Sequence, residues 1–344
     1  MGVSRPTIPD LAKAAGVSVS TVNRVIGGTG KVREPTMQRV LQVAEDIGFY
    51  GIGSIQSRLS AARSKDRFVV LLQQRGRKFY EALGAQLEGS VGAFEDRDID
   101  LRVEFMDDLS PDRVASRIRQ AGEWCEALAV VAAEHPLVSD AIEQISTSGT
   151  KVLGLIAPLN ARCNVGYVGL DHWKVGRTAA WAFDHICRQP GKIGILVGNH
   201  RYRNQDLNES GFRSYFREHG SAFTLLEPLS TFESSAVGRE MTEKLLHDHP
   251  DLAGLYISGG GITGALAAIR HEGRAGNLVS VGYELFETTK AGLIDGSLTF
   301  LISHPLEKLA RETIAGMIRA KQAGADAGSQ TVVLNFEIYT RENI

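Results

Sequence analysis

Residues 7–28 read TIPDLAKAAGVSVSTVNRVIGG, and the spacing of this stretch predicts how the start of the chain folds. Thr7 is a good N-cap for a helix over Ile8–Ala15, and Ser18 can cap a second helix over Val19–Ile26. The glycine between the two predicted helices allows a tight turn. Two short helices joined in this way form a helix-turn-helix.

The second predicted helix has the spacing of a recognition helix. Val19, Ser20 and Arg24 are expected to project away from the apolar contact between the helices, toward the DNA major groove. Arg24 suits bidentate donation to guanine, Val19 suits a thymine methyl, and Ser20 can donate or accept. Side chains of the type that binds phosphate are Thr7, Ser18, Thr21, Asn23 and Lys31. With a third helix predicted at about 35–47, residues 1–50 should form an all-α headpiece.

Charge is unevenly distributed along the chain. The 344 residues carry 38 Lys and Arg against 40 Asp and Glu, for a net charge of −2. Residues 1–66 hold nine basic and five acidic residues, so this segment is +4 and the remainder is −6. DNA binding by the first segment would explain a basic head on an acidic body. Three short helices with glycine turns also occur in proteins that do not bind DNA, so these observations alone leave both interpretations open.

The composition is that of an ordinary globular protein of about two domains, with 43% hydrophobic residues. It excludes a disordered chain, a collagen-like repeat and a disulfide scaffold. Three separated cysteines without a C-x-x-C spacing fit a reducing compartment. The first residues lack the apolar core of a signal peptide, and the apolar run Ala127–Ala133 is too short to span a bilayer. We therefore expect a cytoplasmic protein with no membrane partner.

After Asp66, apolar runs alternate with segments of helical periodicity, which is the pattern of a parallel α/β sheet. The runs are Phe68–Leu72, Leu101–Phe105, Leu128–Ala132, Val152–Ile156, Ile193–Val197, Leu252–Ile257, Leu278–Gly282 and Leu298–Ile302. Many are continuously apolar, which indicates strands buried on both faces. This region is too long for one open sheet of ordinary size, so we expect an α/β core of two doubly wound parallel-sheet lobes. Ligands bind beyond the carboxyl ends of such strands, so two facing lobes would share a cleft.

The quoted stretch resembles the headpiece of the lactose-repressor (LacI/GalR) family, whose pattern is T-I-x-D-V-A-x-x-A-G-V-S-x-x-T-V-S-R-V-L-N-G. Nearly every position matches, although Asn23 stands where the family usually has Ser and Gly27 where it usually has Asn. The resemblance implies a periplasmic-binding-protein type I-like core. It also implies a nucleoid-associated, homodimeric repressor that binds pseudo-palindromic operator DNA. Such a protein needs no cofactor and responds to a sugar, polyol or sugar acid.

The resemblance also divides the chain. Leu59 matches the leucine that family members insert into the minor groove from a short hinge helix. The predicted domains are a headpiece at 1–50, a hinge helix or linker at 51–66, and an effector-binding and dimerisation core at 67–344. One lobe of the core is expected at about 67–162 plus 304–325, and the other at about 163–303 plus 326–344. The crossover between them is placed in the polar break Pro158–Asn164.

A glycine motif in the second half supports a competing interpretation. Gly259, Gly261 and Gly264 follow a predicted strand with the spacing G-x-G-x-x-G, and Glu284 ends the next strand 20 residues later. This is the fingerprint of a dinucleotide-binding turn, and taken alone it favours an NAD-dependent enzyme. The motif lies deep in the chain rather than at the start of a sheet. The headpiece assigns the chain to a family without enzymatic activity, so we interpret the glycines as allowing close approach of a ligand.

Candidate effector-binding residues follow from the likeness to sugar-binding relatives. They are Phe79 and Tyr80 after the first strand, Asp171 and Trp173 after the crossover, Arg201, Arg203 and Asn208 after the next strand, and Ser258, Glu284 and His304 at later strand ends. Structural roles compete for several of them: Phe79 and Tyr80 could be a core aromatic pair, and Asp171 a helix cap. No metal site is expected. A sugar-binding protein without a regulatory role is the remaining alternative.

Overall fold

The computed structural model of the chain describes residues 5–30, 32–56, 64–219, 222–323 and 328–344. The chain divides into two compact units. The first extends to Asp66 and includes Phe94–Asp100, and the second comprises Arg67–Ala93 and Leu101–Ile344. The first unit contains the headpiece, and the second contains most of both sheets.

The headpiece is helical, as the sequence predicts. Its helices are α1 (Ile8–Ala15), α2 (Val19–Gly27), α3 (Glu34–Asp46) and a short helix described over 52–56 (α4). The α1–α2 turn passes through Gly16, whose φ of 66° lies in the left-handed region that glycine adopts without strain. Leu11, Val22 and Val25 pack in a buried core with Phe49. This core fixes the angle between α1 and α2.

The first lobe is built from β1 (Ser64–Gln73), α5 (Lys78–Ser90), β2 (Arg97–Met106), α6 (Pro111–Gly122), β3 (Ala127–Val130), α7 (Pro136–Thr147), β4 (Lys151–Leu155) and β5 (Val165–Leu170). Together with β12 (Thr331–Leu334), its strands form a six-stranded sheet in the order β12-β5-β4-β3-β1-β2. Strands β1, β3, β4 and β5 pair in parallel. The four residues of β3 are fully buried, which explains its uninterrupted apolar sequence.

The second lobe contains a seven-stranded sheet with the path β13-β11-β10-β9-β6-β7, and β8 also pairs with β6. Its elements are α8 (His172–Ile186), β6 (Lys192–Val197), α9 (Arg203–His219), β7 (Thr224–Leu225), β8 (Leu229–Ser230), α10 (Ser235–Asp248), β9 (Leu252–Ile257), α11 (Ile262–His271), β10 (Val279–Tyr283), α12 (Glu287–Asp295) and β11 (Phe300–Ser303). The chain then returns to the first sheet through α13 (Leu306–Gln322) and β12 (Thr331–Leu334), and ends in the second with β13 (Glu337–Tyr339).

The predicted lobe boundaries were wrong at two places. The polar break at 158–164 is a loop inside the first lobe, because Leu159 packs in that lobe's core and β5 pairs with β4 in the first sheet. The first crossover therefore follows Leu170. The C-terminal segment does not belong to the second lobe alone, since β12 pairs in parallel with β5 and only β13 joins the second sheet.

Candidate functional site

The outer face of α2 carries the side chains that the sequence assigned to DNA bases. Val19 is 44% exposed, and Ser20 and Arg24 are exposed, whereas Val22 and Val25 on the opposite face are buried. A short helix that exposes both a valine and an arginine can contact a thymine methyl and a guanine edge. The helix therefore presents a polar and apolar surface that its own fold does not use.

The side chains predicted to contact phosphate lie around the start of α1 and α2. Thr7, Ser18 and Asn23 are exposed, and Thr21 is partly exposed. The Ser18 hydroxyl accepts a hydrogen bond from the Thr21 amide at 3.2 Å and lies 2.8 Å from the hydroxyl of Ser20. This cap leaves hydroxyl groups grouped at the positive end of α2, where an anion is favoured. Lys31 and Leu59 lie outside the described residues.

A cavity of about 360 Å³ lies between the two lobes, at the carboxyl ends of their strands. From the first lobe it is lined by Gln73, Arg77, Phe79, Tyr80, Val131 and Ile156, and from the second by Tyr202, Asn204, Gln205, Glu233, Ser258, Tyr283 and Glu284, among others. The lining combines aromatic rings with hydroxyl, amide and charged groups. A cavity of this size and chemistry suits a small polar ligand with an apolar face.

Glu284 is the most elaborately held carboxylate of the cavity. Its Oε1 lies 2.6 Å from Nδ1 of His304, and its Oε2 accepts hydrogen bonds from the Ser303 hydroxyl and the His304 amide, both at 3.2 Å. Its backbone has a φ of 69°, a left-handed conformation that is uncommon for a residue with a side chain. Such strain persists only where the surroundings fix it, and here it orients an almost buried carboxylate at the cavity wall.

An ion pair joins the two lobes across the cavity. Nη2 of Arg77, in the first lobe, lies 2.7 Å from Oε2 of Glu233 in the second. Gln205 donates to the other oxygen of Glu233 at 2.6 Å, and the Arg77 guanidinium also donates to Gln73. The side chain of Arg77 is 27% exposed and that of Glu233 only 8%. This pair is therefore largely shielded from water and is a direct bond between the lobes.

Two buried polar atoms of the wall have no hydrogen-bond partner among the described residues. They are Oδ1 of Asn204 and Oγ of Ser258. Burying such a group without a partner costs roughly 1–3 kcal/mol, so a ligand that supplies a partner gains by binding here. Hydroxyl groups can both donate and accept, and so could satisfy both atoms.

His172 lies beside the first crossover and links the lobes from behind the cavity. Its Nε2 donates to the Ile156 carbonyl at 2.7 Å, and its Nδ1 accepts from the Asn208 side-chain amide at 3.2 Å when that amide is oriented to satisfy its neighbours. This pattern requires a neutral imidazole. Burial and the nearby His304 ring lower the pKa of His172 to about 3.

This pKa shift makes the stability of the core depend on pH. In the unfolded chain His172 takes up a proton near pH 6.5, whereas in the folded chain it does so only near pH 3. The stability that the neutral His172 contributes is therefore fully present above pH 6.5 and is lost as the pH falls from 6.5 toward 3. We expect the free energy of unfolding to fall by about 2 kcal/mol more between pH 7 and pH 5 in the wild type than in His172→Gln. Urea unfolding at the two pH values measures this difference. Equal changes in both proteins would contradict a neutral buried His172.

The three glycines of the G-x-G-x-x-G motif are in close contact with neighbouring parts of the protein. A Cβ on Gly259 would lie 2.3 Å from Oε1 of Gln205, and one on Gly264 would lie 1.7 Å from the Ser235 carbonyl. A Cβ on Gly261, which has a φ of 93°, would lie 2.9 Å from the Thr231 side chain. These close approaches account for all three glycines of the motif without a bound dinucleotide.

The structure brings some of the predicted effector residues to the cavity and not others. Phe79, Tyr80, Ser258 and Glu284 line it. Not among its lining residues are Asp171, Trp173, Arg201, Arg203, Asn208 and His304. Asp171 caps α8 by accepting from the Lys174 amide at 3.1 Å, and Trp173 is 41% exposed.

The remaining four residues have partners within the protein. The guanidinium of Arg203 lies 3.6 Å from Glu134 of the first lobe, and the Arg201 carbonyl accepts from the Glu134 amide at 2.7 Å. Asn208 is bonded to His172. His304 lies behind Glu284, so its contribution to the cavity is made through that carboxylate.

Sequence reasoning missed several lining residues, including Arg77, Tyr202, Gln205 and Glu233. Tyr202 and Gln205 follow β6, so the rule that ligands lie beyond strand ends could have identified them. Glu233 follows β8, which is only two residues long and gives no periodic signal.

Among the described helices, none is long and apolar enough to cross a membrane.

Comparison with protein families gives two matches along the chain. Residues 7–51 match the model for bacterial regulatory proteins of the lacI family, and residues 68–325 match the periplasmic binding protein domain. The HTH-type transcriptional regulator GntR of Pseudomonas aeruginosa is 24% identical over 98% of this chain and 96% of its own length. The HTH-type regulator DegA of Bacillus subtilis is 47% identical over 45 residues, which is 13% of each chain.

Binding proteins match the second part of the chain. A D-ribose/D-allose-binding protein of Pseudomonas aeruginosa is 27% identical over 39% of this chain and 42% of its own length, so the match spans less than half of that protein. The solved structure of a periplasmic solute-binding protein from Actinobacillus succinogenes with bound D-allose superposes with a TM-score of 0.71, at 17% identity, over 81% of this chain and 98% of that one. The glucose-galactose binding protein GanP from Geobacillus stearothermophilus gives 0.73 at 13% identity, over 82% and 99%.

The two family matches follow each other in the order that the helical headpiece and the two-lobed core have along the chain. The solved structures show the same core fold. The chain therefore belongs to the LacI family of bacterial transcriptional regulators, in which a helix-turn-helix DNA-binding domain is joined to a core of the periplasmic-binding-protein type.

Proposed function

We propose that this regulator is a homodimeric repressor that binds a pseudo-palindromic operator in the bacterial nucleoid. The observation that carries the proposal is the exposed face of α2, where Val19, Ser20 and Arg24 are held outward by a compact helical core. A single recognition helix reads only a few base pairs, and two symmetric copies read two half-sites about one helical turn apart. A dimer follows from this requirement.

The cleft is proposed to bind a small polyhydroxylated effector. Phe79 and Tyr80 offer aromatic surface for the apolar face of a sugar ring, while Glu284 and the unpartnered Ser258 hydroxyl offer hydrogen bonds to its hydroxyl groups. Similar proteins support this class, since they include a D-ribose/D-allose-binding protein and a solute-binding protein with bound D-allose. Binding at strand ends of both lobes would join them around the ligand.

Effector binding would reach the operator through the relation between the lobes. A ligand that contacts both lobes stabilises the arrangement in which they are closed, and so shifts the equilibrium between closed and open cores. If the two arrangements differ in operator affinity, the ligand changes that affinity by the same coupling free energy. The direct Arg77–Glu233 bond contributes to the closed arrangement beside the ligand.

A mobility-shift titration with DNA from the region upstream of its own gene tests the proposal. We expect specific DNA to be bound at least about a thousandfold more tightly than unrelated DNA of the same length, and a sugar or polyol to change that affinity. A dimer is expected to protect two half-sites in a footprint. Equal affinity for specific and unrelated DNA at all salt concentrations would reject the repressor.

The two alternatives are weaker. An NAD-dependent enzyme loses its main support because packing explains the glycines of the motif. A sugar-binding protein without a regulatory role would have no use for a headpiece with an exposed arginine and valine on its second helix. The family matches are to regulators and to binding proteins.

A further inference from the structure

The charged groups that line the cleft are already paired within the protein. Among the described lining residues, the cations are Arg77 and Lys78 and the anions are Glu233 and Glu284. Arg77 bonds Glu233 at 2.7 Å, and Lys78, whose side chain is 63% exposed, bonds Glu81 at 2.8 Å. Glu284 is held by His304. An anionic ligand therefore meets two carboxylates and cations that are already bonded to carboxylates.

The Glu233 carboxylate is held in place by other groups, so a ligand cannot readily displace it from Arg77. Gln205 donates to one of its oxygens at 2.6 Å, and Gln205 is itself held by the Asn199 amide at 3.0 Å. The carboxylate fits against backbone at two glycines: a Cβ on Gly198 would lie 1.9 Å from its Oε1, and one on Gly260 would lie 2.1 Å from its Oε2. The position of Glu233 is thus determined by packing from the second lobe alone.

The backbone before α10 supports the same conclusion. Phe232 and Glu233 have φ values of 50° and 61°, so two successive residues with side chains adopt the left-handed conformation. This conformation costs free energy and persists only where surrounding contacts impose it. The fully buried Thr231 supplies one such contact by donating from its hydroxyl to the Gly260 carbonyl at 2.6 Å. The backbone of Phe232 and Glu233 is therefore strained in the conformation that holds the Glu233 carboxylate at the cavity.

We propose that Glu233 determines the ligand selectivity of the cleft: by pairing with Arg77 it favours uncharged polyhydroxyl ligands and excludes sugar acids. This inference rests on the proposed function of the cleft as an effector site. A hydroxyl group can donate to Glu233 and accept from Arg77, so a neutral ligand can use both halves of the pair. A carboxylate can only accept, and in a shielded site it would lie unpaired beside Glu233 and Glu284.

The arrangement also narrows the effector class that the sequence left open. Arg201 and Arg203, the two arginines among the candidate effector residues, could bind the carboxylate of a sugar acid, but neither lines the cavity, and the charge of Arg203 faces Glu134. Arg77 is the one guanidinium among the described lining residues, and its partner Glu233 is fixed. Ligand selectivity therefore depends on a residue that no motif of the sequence identifies.

Calorimetric titration of the full-length protein with matched ligand pairs tests the inference. The pairs are D-glucose with D-glucuronate, D-galactose with D-galacturonate, and D-glucitol with D-gluconate, which differ by one hydroxymethyl group replaced by a carboxylate. In each pair that binds, we expect the neutral member to bind at least tenfold more tightly. In Glu233→Gln, which releases Arg77, this preference should fall about tenfold. Because both members need the same closure of the lobes, their ratio removes any effect of the variant on closure.

A matched control separates cavity charge from contact between the lobes. Glu134→Gln removes the partner of Arg203, another ion pair between the lobes, without changing a lining residue, and should leave the ratio unchanged. Arg77→Gln should bind neutral ligands more weakly than the wild type and should still bind them more tightly than the matched acids. This variant provides a second measurement if Glu233→Gln folds poorly. Tighter binding of the acids to the wild type, or an unchanged ratio in Glu233→Gln, would overturn this inference alone. Binding of no member of any pair would overturn it together with the proposed sugar-like effector.

Discussion

Replacing Arg24 with alanine is expected to weaken binding to the specific operator by about 1–3 kcal/mol, which is roughly 5- to 150-fold. The side chain is exposed on α2, as are Val19 and Ser20, and its loss would remove a group that suits bidentate donation to a guanine edge. The fold should be unaffected, because the buried side of α2 is formed by Val22 and Val25. Fluorescence anisotropy with operator DNA and with unrelated DNA of the same length measures the effect.

Lys13→Ala is the matched control, since it removes the same unit of charge from an exposed position on α1. A residue that only attracts phosphate should weaken specific and unrelated DNA by similar factors and reduce the salt dependence. Arg24→Ala should instead reduce the ratio of specific to unrelated affinity and relax the preference at one base pair. An unchanged ratio in Arg24→Ala would show that α2 is not the base-reading helix.

The headpiece could be predicted almost completely because its signals are local. The caps Thr7 and Ser18 and the turn at Gly16 lie within a few residues of the helices they define, so the sequence placed α1 and α2 within one residue of their bounds. The alternation of apolar and polar positions then indicated which face of α2 is exposed. Nothing in this inference depended on contacts distant in sequence.

The lobes were harder to predict because the partner of a strand is a long-range property. Strand β5 contains two glycines and a tyrosine among its six residues, so its apolar signal is weak. Its place in the first sheet is decided by pairing with β4 and with β12, which lies about 165 residues later. Strands β7 and β8 are two residues long and carry no periodicity. The predicted crossover lies too early in the chain because the weak apolar signal of β5 did not show that this strand belongs to the first sheet.

The cleft was predicted in position but only in part in composition. The strand-end rule correctly indicated where Ser258 and Glu284 lie, because it depends on the direction of strands that the sequence revealed. It could not find Glu233, whose approach to Arg77 depends on the close contact of Gly198 and Gly260 with its carboxylate. Side chains brought together across two lobes leave no common pattern in the sequence.

Gly264→Ala is expected to be the most damaging small substitution in the core. Gly264 lies in the first turn of α11, and its added Cβ would lie 1.7 Å from the Ser235 carbonyl and 2.8 Å from the Arg239 amide. Both atoms belong to the backbone of α10, so no side-chain rotation can relieve the clash. Overpacking of this kind costs about 3 kcal/mol, which for a core of this size lowers the melting temperature by about 6–12 °C.

Gly89→Ala provides the control, because it makes the same chemical change at another helical glycine. Gly89 is exposed near the end of α5, and its added Cβ would meet no atom within 4 Å. Alanine is the better helix former, so this variant should be neutral or more stable by up to about 1 kcal/mol. Thermal unfolding of the two variants should therefore differ in sign. If Gly264→Ala melted like Gly89→Ala, packing against α10 would not be the reason for the glycine, and a role in dinucleotide binding would regain its support. If instead Gly264→Ala loses stability as expected, this glycine is required for the close packing of α11 on α10, the helix that follows Glu233.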